Sequence, residues 1–152
     1  MIVWLIGQPC SGKTTLARNI QNLTQTLDAP IHVIDGDDFR DVFANKDYGR
    51  QGREKNIERA SIVAKYMEYC GQMVLCSFVT PYESMREKIK EICGEVKFVY
   101  LKYKGERGRE SFHVSDFEEP SESEALCLDT TQLSKNECVR LIVNYINDKN
   151  EP

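Results

Sequence analysis

The sequence predicts an α/β fold in three layers, a parallel sheet of about five strands flanked by helices. Three observations predict it. Apolar runs alternate with longer stretches of helical periodicity, the pattern of a parallel sheet whose crossovers are helices. The first run, Ile2–Ile6, is continuous rather than alternating, as a central strand covered on both faces must be. A glycine-rich turn then leads from that strand into the first helical pattern.

The elements follow in order. After the turn, Lys13–Leu27 reads as a helix with Leu16, Ala17, Ile20, Leu23 and Leu27 on its apolar side. Ile31–Ile34 is a second strand ending in the acidic turn Asp35-Gly36-Asp37-Asp38, where Asp38 is a candidate helix cap. Arg53–Cys70 carries Ile57, Ala60, Ala64 and Met67 at helical spacing and stops at Gly71. Met73–Phe78 is the third strand. Thr80-Pro81-Tyr82-Glu83 then reads as a helix start with a Thr cap, and that helix ends at Gly94. Val96–Leu101 and Ala125–Leu128 are the fourth and fifth strands. Ser134-Lys135-Asn136-Glu137 is a capping box opening a last helix, with Cys138, Leu141, Ile142, Tyr145 and Ile146 inward.

The 152 residues suffice for a single domain, read here as 1–150. Twenty Lys and Arg against 24 Asp and Glu give a net charge of −4, which argues against a general nucleic-acid or anionic-membrane surface. No apolar run approaches the roughly 18–20 residues that cross a bilayer. The opening Met1–Ile6 is short and lacks a basic leader, so the chain reads as cytoplasmic. Six cysteines without a CxxC, and two isolated histidines, point to reduced thiols rather than a zinc or redox site. The polar stretch from Lys102 to Glu124 is long for a connection inside a domain and reads as a lid.

Gly7-Gln8-Pro9-Cys10-Ser11-Gly12-Lys13-Thr14 fits GxxxxGK[ST] at every fixed position, between a strand and a helix. Backbone N–H groups of such a loop wrap phosphate oxygens, and the helix N-terminus adds a favourable dipole. Lys13 reaches the β- and γ-phosphates, and the Thr14 hydroxyl takes a Mg²⁺ position. These eight residues with Thr15 are the candidate ATP-binding set, in a P-loop NTPase fold. A switch GTPase is disfavoured: Asn45-Lys46-Asp47-Tyr48 has Tyr where its base-reading motif needs Asp, and Met73–Phe78 ends without an acid.

Asp35 and Asp37 lie at the carboxyl end of the second strand, on the same sheet edge as the loop. Phosphoryl transfer needs one carboxylate near Mg²⁺ and one able to orient or deprotonate the attacking hydroxyl. Asp35 and Asp37, two apart around a glycine, can both face the cleft, and with Lys13 they form the candidate catalytic set.

Four segments together resemble the adenylylsulfate kinase family: GQPCSGKTT at 7–15, VIDGDDFR at 33–40, REKNIERASIVAKYM at 53–67 and SFVTPY at 77–82. ALCLDT at 125–130 is a weaker fifth match. The resemblance implies an ATP- and Mg²⁺-dependent kinase acting on the 3′-hydroxyl of adenosine 5′-phosphosulfate. It implies that Asp35 helps hold the Mg²⁺ with Thr14, that Asp37 is the candidate base for the 3′-hydroxyl, that Arg40, Arg53 and Asn56 grip that nucleotide and that Val79 and Thr80 line its pocket. A homodimer is also in keeping with it. Arg53 and Asn56, three apart, project from one side of a helix start, and Arg offers a planar charged fork for anionic oxygens.

The chain departs from the family in two places. An aromatic that stacks on the acceptor base is missing after Asp47-Tyr48-Gly49, leaving Tyr48 and Phe43 nearby. The basic lid is much shorter, with Phe112 as the remaining base-stacking candidate and Lys102, Lys104, Arg107 and Arg109 as its cations. Two alternatives follow: the same chemistry on another nucleoside diphosphate-like acceptor such as cytidine diphosphoramidate, or a non-catalytic ATP-binding protein.

Overall fold

The computed structural model describes residues 1–25 and 30–148. Five strands form one sheet: β1 (Ile2–Ile6), β2 (Ile31–Asp35), β3 (Met73–Ser77), β4 (Val96–Lys102) and β5 (Ala125–Asp129). Their spatial order is β2-β3-β1-β4-β5, and every neighbouring pair is parallel. The helices are α1 (Lys13–Thr24), α2 (Gly36–Val42), α3 (Arg50–Tyr69), α4 (Glu83–Cys93) and α5 (Lys135–Asn147).

Side chains of β1 alternate between two buried layers, which explains its unbroken apolar sequence. Ile2, Trp4 and Ile6 enter a layer with Ile57, Ala60 and Ala64 of α3 and Met85 and Ile89 of α4. Val3 and Leu5 enter the opposite layer with Leu16 and Ile20 of α1 and Ile142 of α5. Because all strands are parallel, their carboxyl ends share one edge. Connections from β1 and β4 leave in opposite directions, so that edge has a crevice beside the β1 end, the usual ligand position in an open α/β sheet.

Several expectations are corrected. Leu23 of α1 is exposed, and Leu27 lies outside the described residues. The acidic turn is itself the start of α2: Asp35 caps that helix through Asp37 N–H, while Asp38 is exposed and faces Arg18 at 3.5 Å. α3 begins at Arg50 rather than Arg53. Thr80 caps nothing. α4 starts at Glu83 without a side-chain cap, and the Thr80 hydroxyl instead accepts from the buried Trp4 indole N–H at 2.9 Å. A buried indole N–H demands such a partner, and that demand outweighs the local capping signal. In α5 the capping box forms as expected, Val139 is buried, and Leu141 and Tyr145 are half-buried.

The 102–124 connection carries one short 3₁₀ turn, Glu110–Phe112. Its later half is anchored. Val114 and Phe117 pack on the α3/α4 layer, and Glu118 N–H donates to the Pro81 carbonyl at 2.8 Å. Arg86 of α4, almost fully buried, donates to Glu124 at 3.1 Å and to the Glu118 carbonyl at 2.8 Å.

Candidate active site

The glycine-rich loop fills the turn between β1 and α1. A side chain at Gly7 would collide with Ser11 Oγ at 2.5 Å and the Leu101 carbonyl at 2.6 Å, so only hydrogen fits there. Gly12, at φ 103°, holds the left-handed conformation that turns the loop into α1. Lys13 lies under the loop, its ammonium donating to the Gly7 and Gln8 carbonyls, each at 2.8 Å, and to Ser11 Oγ at 3.4 Å. Burial pulls its pKa down to about 8, against the opposing pull of Asp35 and Asp37.

Thr14 Oγ1 donates to Asp35 Oδ2 at 2.6 Å, while Asp35 Oδ1 accepts from Asp37 N–H at 3.0 Å. Asp35 therefore links the start of α1 to the start of α2 and is buried there. A hydroxyl in contact with one carboxylate is a hard-oxygen donor set that suits Mg²⁺, which binds through one or two protein carboxylates and keeps several waters. Asp37, in the first turn of α2, is exposed and lines the same cleft.

That cleft encloses about 780 Å³ along the carboxyl edge of the sheet. Its lining takes in Pro9, Cys10, Gly12, Lys13, Thr14, Thr15, Asp35 and Asp37, together with Arg40, Arg53, Asn56, Val79, Thr80 and Phe112. Gly7, Gln8 and Ser11 stand behind its wall; Ser11 is buried and Gln8 turns away toward residue 114. Of the lid cations, Arg107 and Arg109 line the cleft, whereas Lys102 is paired with Glu119 at 2.7 Å.

Two cations come together in the cleft wall. Arg40 donates to the Asn45 and Asp47 carbonyls at 3.2 and 2.7 Å and lies 4.4 Å from the Tyr48 ring centroid. Arg53 donates to the Tyr48 carbonyl at 2.9 Å. Burial first, and then the Arg40 charge, lower the Arg53 pKa from its ordinary value. Like charges gathered around a polar cleft favour an anionic ligand.

Sequence reasoning missed parts of this wall. Ser77, paired in register with Asp35, lines the cleft with a buried hydroxyl that has no hydrogen-bond partner, as does Asn56 Oδ1. A hydroxyl ending an otherwise apolar strand was the available signal. Tyr48 lines the cleft, while Phe43 packs on Phe39 and Arg59. Thr80, a β-branched residue at φ 47°, holds a costly backbone conformation in the cleft wall, a recurrent mark of functional sites.

A GxxxxGK[ST] loop with a Thr–Asp pair and two arginines in one cleft is the design of a P-loop kinase. Comparison narrows it further. The family model for adenylylsulphate kinase matches residues 1–108, and the chain belongs to that family. The chain is 32% identical over 170 residues to the adenylyl-sulfate kinase of Bacillus licheniformis, covering 97% of this chain and 85% of that one. A shorter stretch of 102 residues is 36% identical to the bifunctional enzyme NodQ of Rhizobium tropici, 66% of this chain and 16% of that longer protein. The Mycobacterium tuberculosis APS kinase CysC, solved with AMPPNP and APS, shares the fold at a TM-score of 0.86 and 20% identity, covering 97% of each chain. Among the described residues no helix is long and apolar enough to cross a membrane.

Proposed function

We propose that this protein is an adenylyl-sulfate kinase, transferring the γ-phosphate of ATP to the 3′-hydroxyl of adenosine 5′-phosphosulfate. One observation carries the reading. The Lys13 loop and the Thr14–Asp35 pair share a single cleft with the exposed Asp37 and the Arg40–Arg53 cations. The family membership supports it, and the names of the relatives do not favour a cytidine diphosphoramidate acceptor.

The residues divide the work. The loop from Gly7 to Thr15 cradles the triphosphate with its N–H groups, and Lys13 exchanges carbonyl contacts for phosphate oxygens. Thr14 and Asp35 would hold Mg²⁺, which would supply charge neutralisation for the phosphates. Asp37 orients the 3′-hydroxyl and accepts its proton. Arg40, Arg53 and Asn56 grip the phosphosulfate end, with Val79, Thr80 and Phe112 as the pocket wall. Positioning and electrostatics supply most of the rate. We take the chain as one kinase domain over residues 1–150, its lid at about 102–124 closing the cleft. It acts in the cytoplasm as a homodimer.

A screen of nucleotide acceptors with γ-labelled ATP tests the reading. Label in 3′-phosphoadenosine 5′-phosphosulfate is the expected result. Label in another acceptor, or in none, overturns it.

A further inference from the structure

The side chain of the phosphate loop's second residue does not line the cleft. Gln8 Nε2 donates to the Val114 carbonyl at 2.7 Å, and Gln8 Oε1 accepts from Val114 N–H at 2.9 Å. A primary amide is the side chain that offers a donor and an acceptor in one plane, so it pairs with a peptide unit as a neighbouring strand would. The next two loop residues continue the contact. His113 Nε2 lies 3.2 Å from the Pro9 carbonyl, and Arg107 donates to the Cys10 carbonyl at 3.0 Å. Arg107 also donates to the Thr130 carbonyl at 3.2 Å and lies 3.5 Å from the Tyr103 ring centroid. The segment 107–114 is thus laid along loop residues 8–10. It carries Phe112, which is exposed and lines the cleft.

We infer that Gln8 is a positioning residue that, through Val114, holds the Phe112 wall against the phosphate loop and so sets affinity for the nucleotide acceptor. The identity of that acceptor rests on the adenylyl-sulfate kinase reading; the clamp itself does not. ATP affinity is left to the loop's backbone N–H groups, since the Gln8 side chain is not among the residues that line the cleft.

Gln8→Met keeps the side chain's length and removes both bonds, and Gln8→Glu keeps one acceptor but sets a carboxylate against the Val114 carbonyl. Two readouts are taken on the full chain, with melting temperature as the check on folding. By hydrogen exchange, peptides spanning 107–116 exchange about tenfold faster in either variant, the effect of losing one or two hydrogen bonds, while β1 and β4 are unchanged. By kinetics, KM for adenosine 5′-phosphosulfate rises about tenfold while KM for ATP moves less than about twofold. In a Phe112→Ala background the Gln8→Met effect on acceptor KM disappears, because the wall it positions is gone. Unchanged exchange at 107–116, a KM increase for ATP in step with the acceptor, or an undiminished Gln8 effect without Phe112 each overturns the assignment. A wild-type protein that turns over no adenosine 5′-phosphosulfate overturns the proposed activity instead; the exchange readout then decides the clamp without any acceptor.

Discussion

The Thr14 hydroxyl donates to the Asp35 carboxylate across 2.6 Å, joining the first turn of α1 to the cap of α2. One carboxyl group thereby caps a helix and, in the proposed kinase, would also hold Mg²⁺, and the two roles are separable. Asn is as good an N-cap as Asp, so Asp35→Asn leaves the melting temperature nearly unchanged. It raises the Mg²⁺ concentration for half-maximal activity and lowers kcat by about 10²–10³-fold, the usual cost of losing one electrostatic group at a phosphoryl-transfer site. A Mg²⁺ titration of both proteins checks this; an unaltered metal requirement would remove Asp35 from the metal site.

Lys13 makes nucleotide binding depend on pH. Its pKa without ligand is lowered to about 8 by burial, and phosphate oxygens favour the charged form, so binding raises it. Below pH 8 the ammonium is already charged and affinity is flat. As pH rises through 8, binding has to take up a proton and ATP affinity falls. Calorimetry in buffers of different ionisation enthalpy should show proton uptake at pH 8.5 to 9 and little at pH 7. Lys13→Ala removes both the uptake and the phosphoryl transfer.

The same burial has a consequence for folding. The unfolded chain holds the Lys13 proton up to its ordinary pKa near 10.5, the native chain only to about 8. Between those values the unfolded state binds more protons, so this group's contribution to stability rises with pH across the window. Denaturant unfolding at pH 8 and pH 10 should show a smaller pH dependence in Lys13→Met than in the wild type tending in that direction.

Asp37 is exposed at the cleft and accepts nothing that α2 requires, since the cap is Asp35. Asp37→Asn therefore lowers kcat by about 10²–10⁴-fold, the range for a general base, with the dissociation constant for ATP nearly unchanged. Single-turnover rates beside equilibrium ATP binding separate the two. Collapse of ATP binding with normal turnover of the bound complex would make Asp37 a metal or folding residue.

Arg86 is almost fully buried and pairs with Glu124, tying the return from the lid to α4. Arg86→Met leaves Glu124 only its longer contact to Lys90, at 3.4 Å, and strips the Glu118 carbonyl of its partner, which costs about 1–3 kcal/mol. Urea unfolding measures it. Restoring a neutral partner in Arg86→Met/Glu124→Gln recovers part of the loss.

How legible all this was depends on sequence distance. The phosphate loop and the Asp35–Asp37 pair were readable because their chemistry imposes spacing on adjacent residues, and β1 because burial on both faces leaves an unbroken apolar run. The Trp4–Thr80 bond spans 76 residues, Arg86–Glu124 38 and Gln8–Val114 106, and no local periodicity records such pairs. Thr80 shows the consequence: its neighbours spell a capping box, yet the distant indole claims its hydroxyl. α2 was hidden because an Asp-Gly-Asp sequence has turn chemistry and helix-capping chemistry in equal measure.

The central claim is that the loop and the two aspartates serve one reaction centre. A crystal structure with Mg²⁺, a non-hydrolysable ATP analogue and adenosine 5′-phosphosulfate tests it most directly. The account predicts the metal beside Thr14 and Asp35 and the Asp37 carboxylate within about 3 Å of the 3′-hydroxyl, the reach of a general base. A metal held elsewhere, with Asp37 turned to bulk water and the hydroxyl unattended, would contradict it.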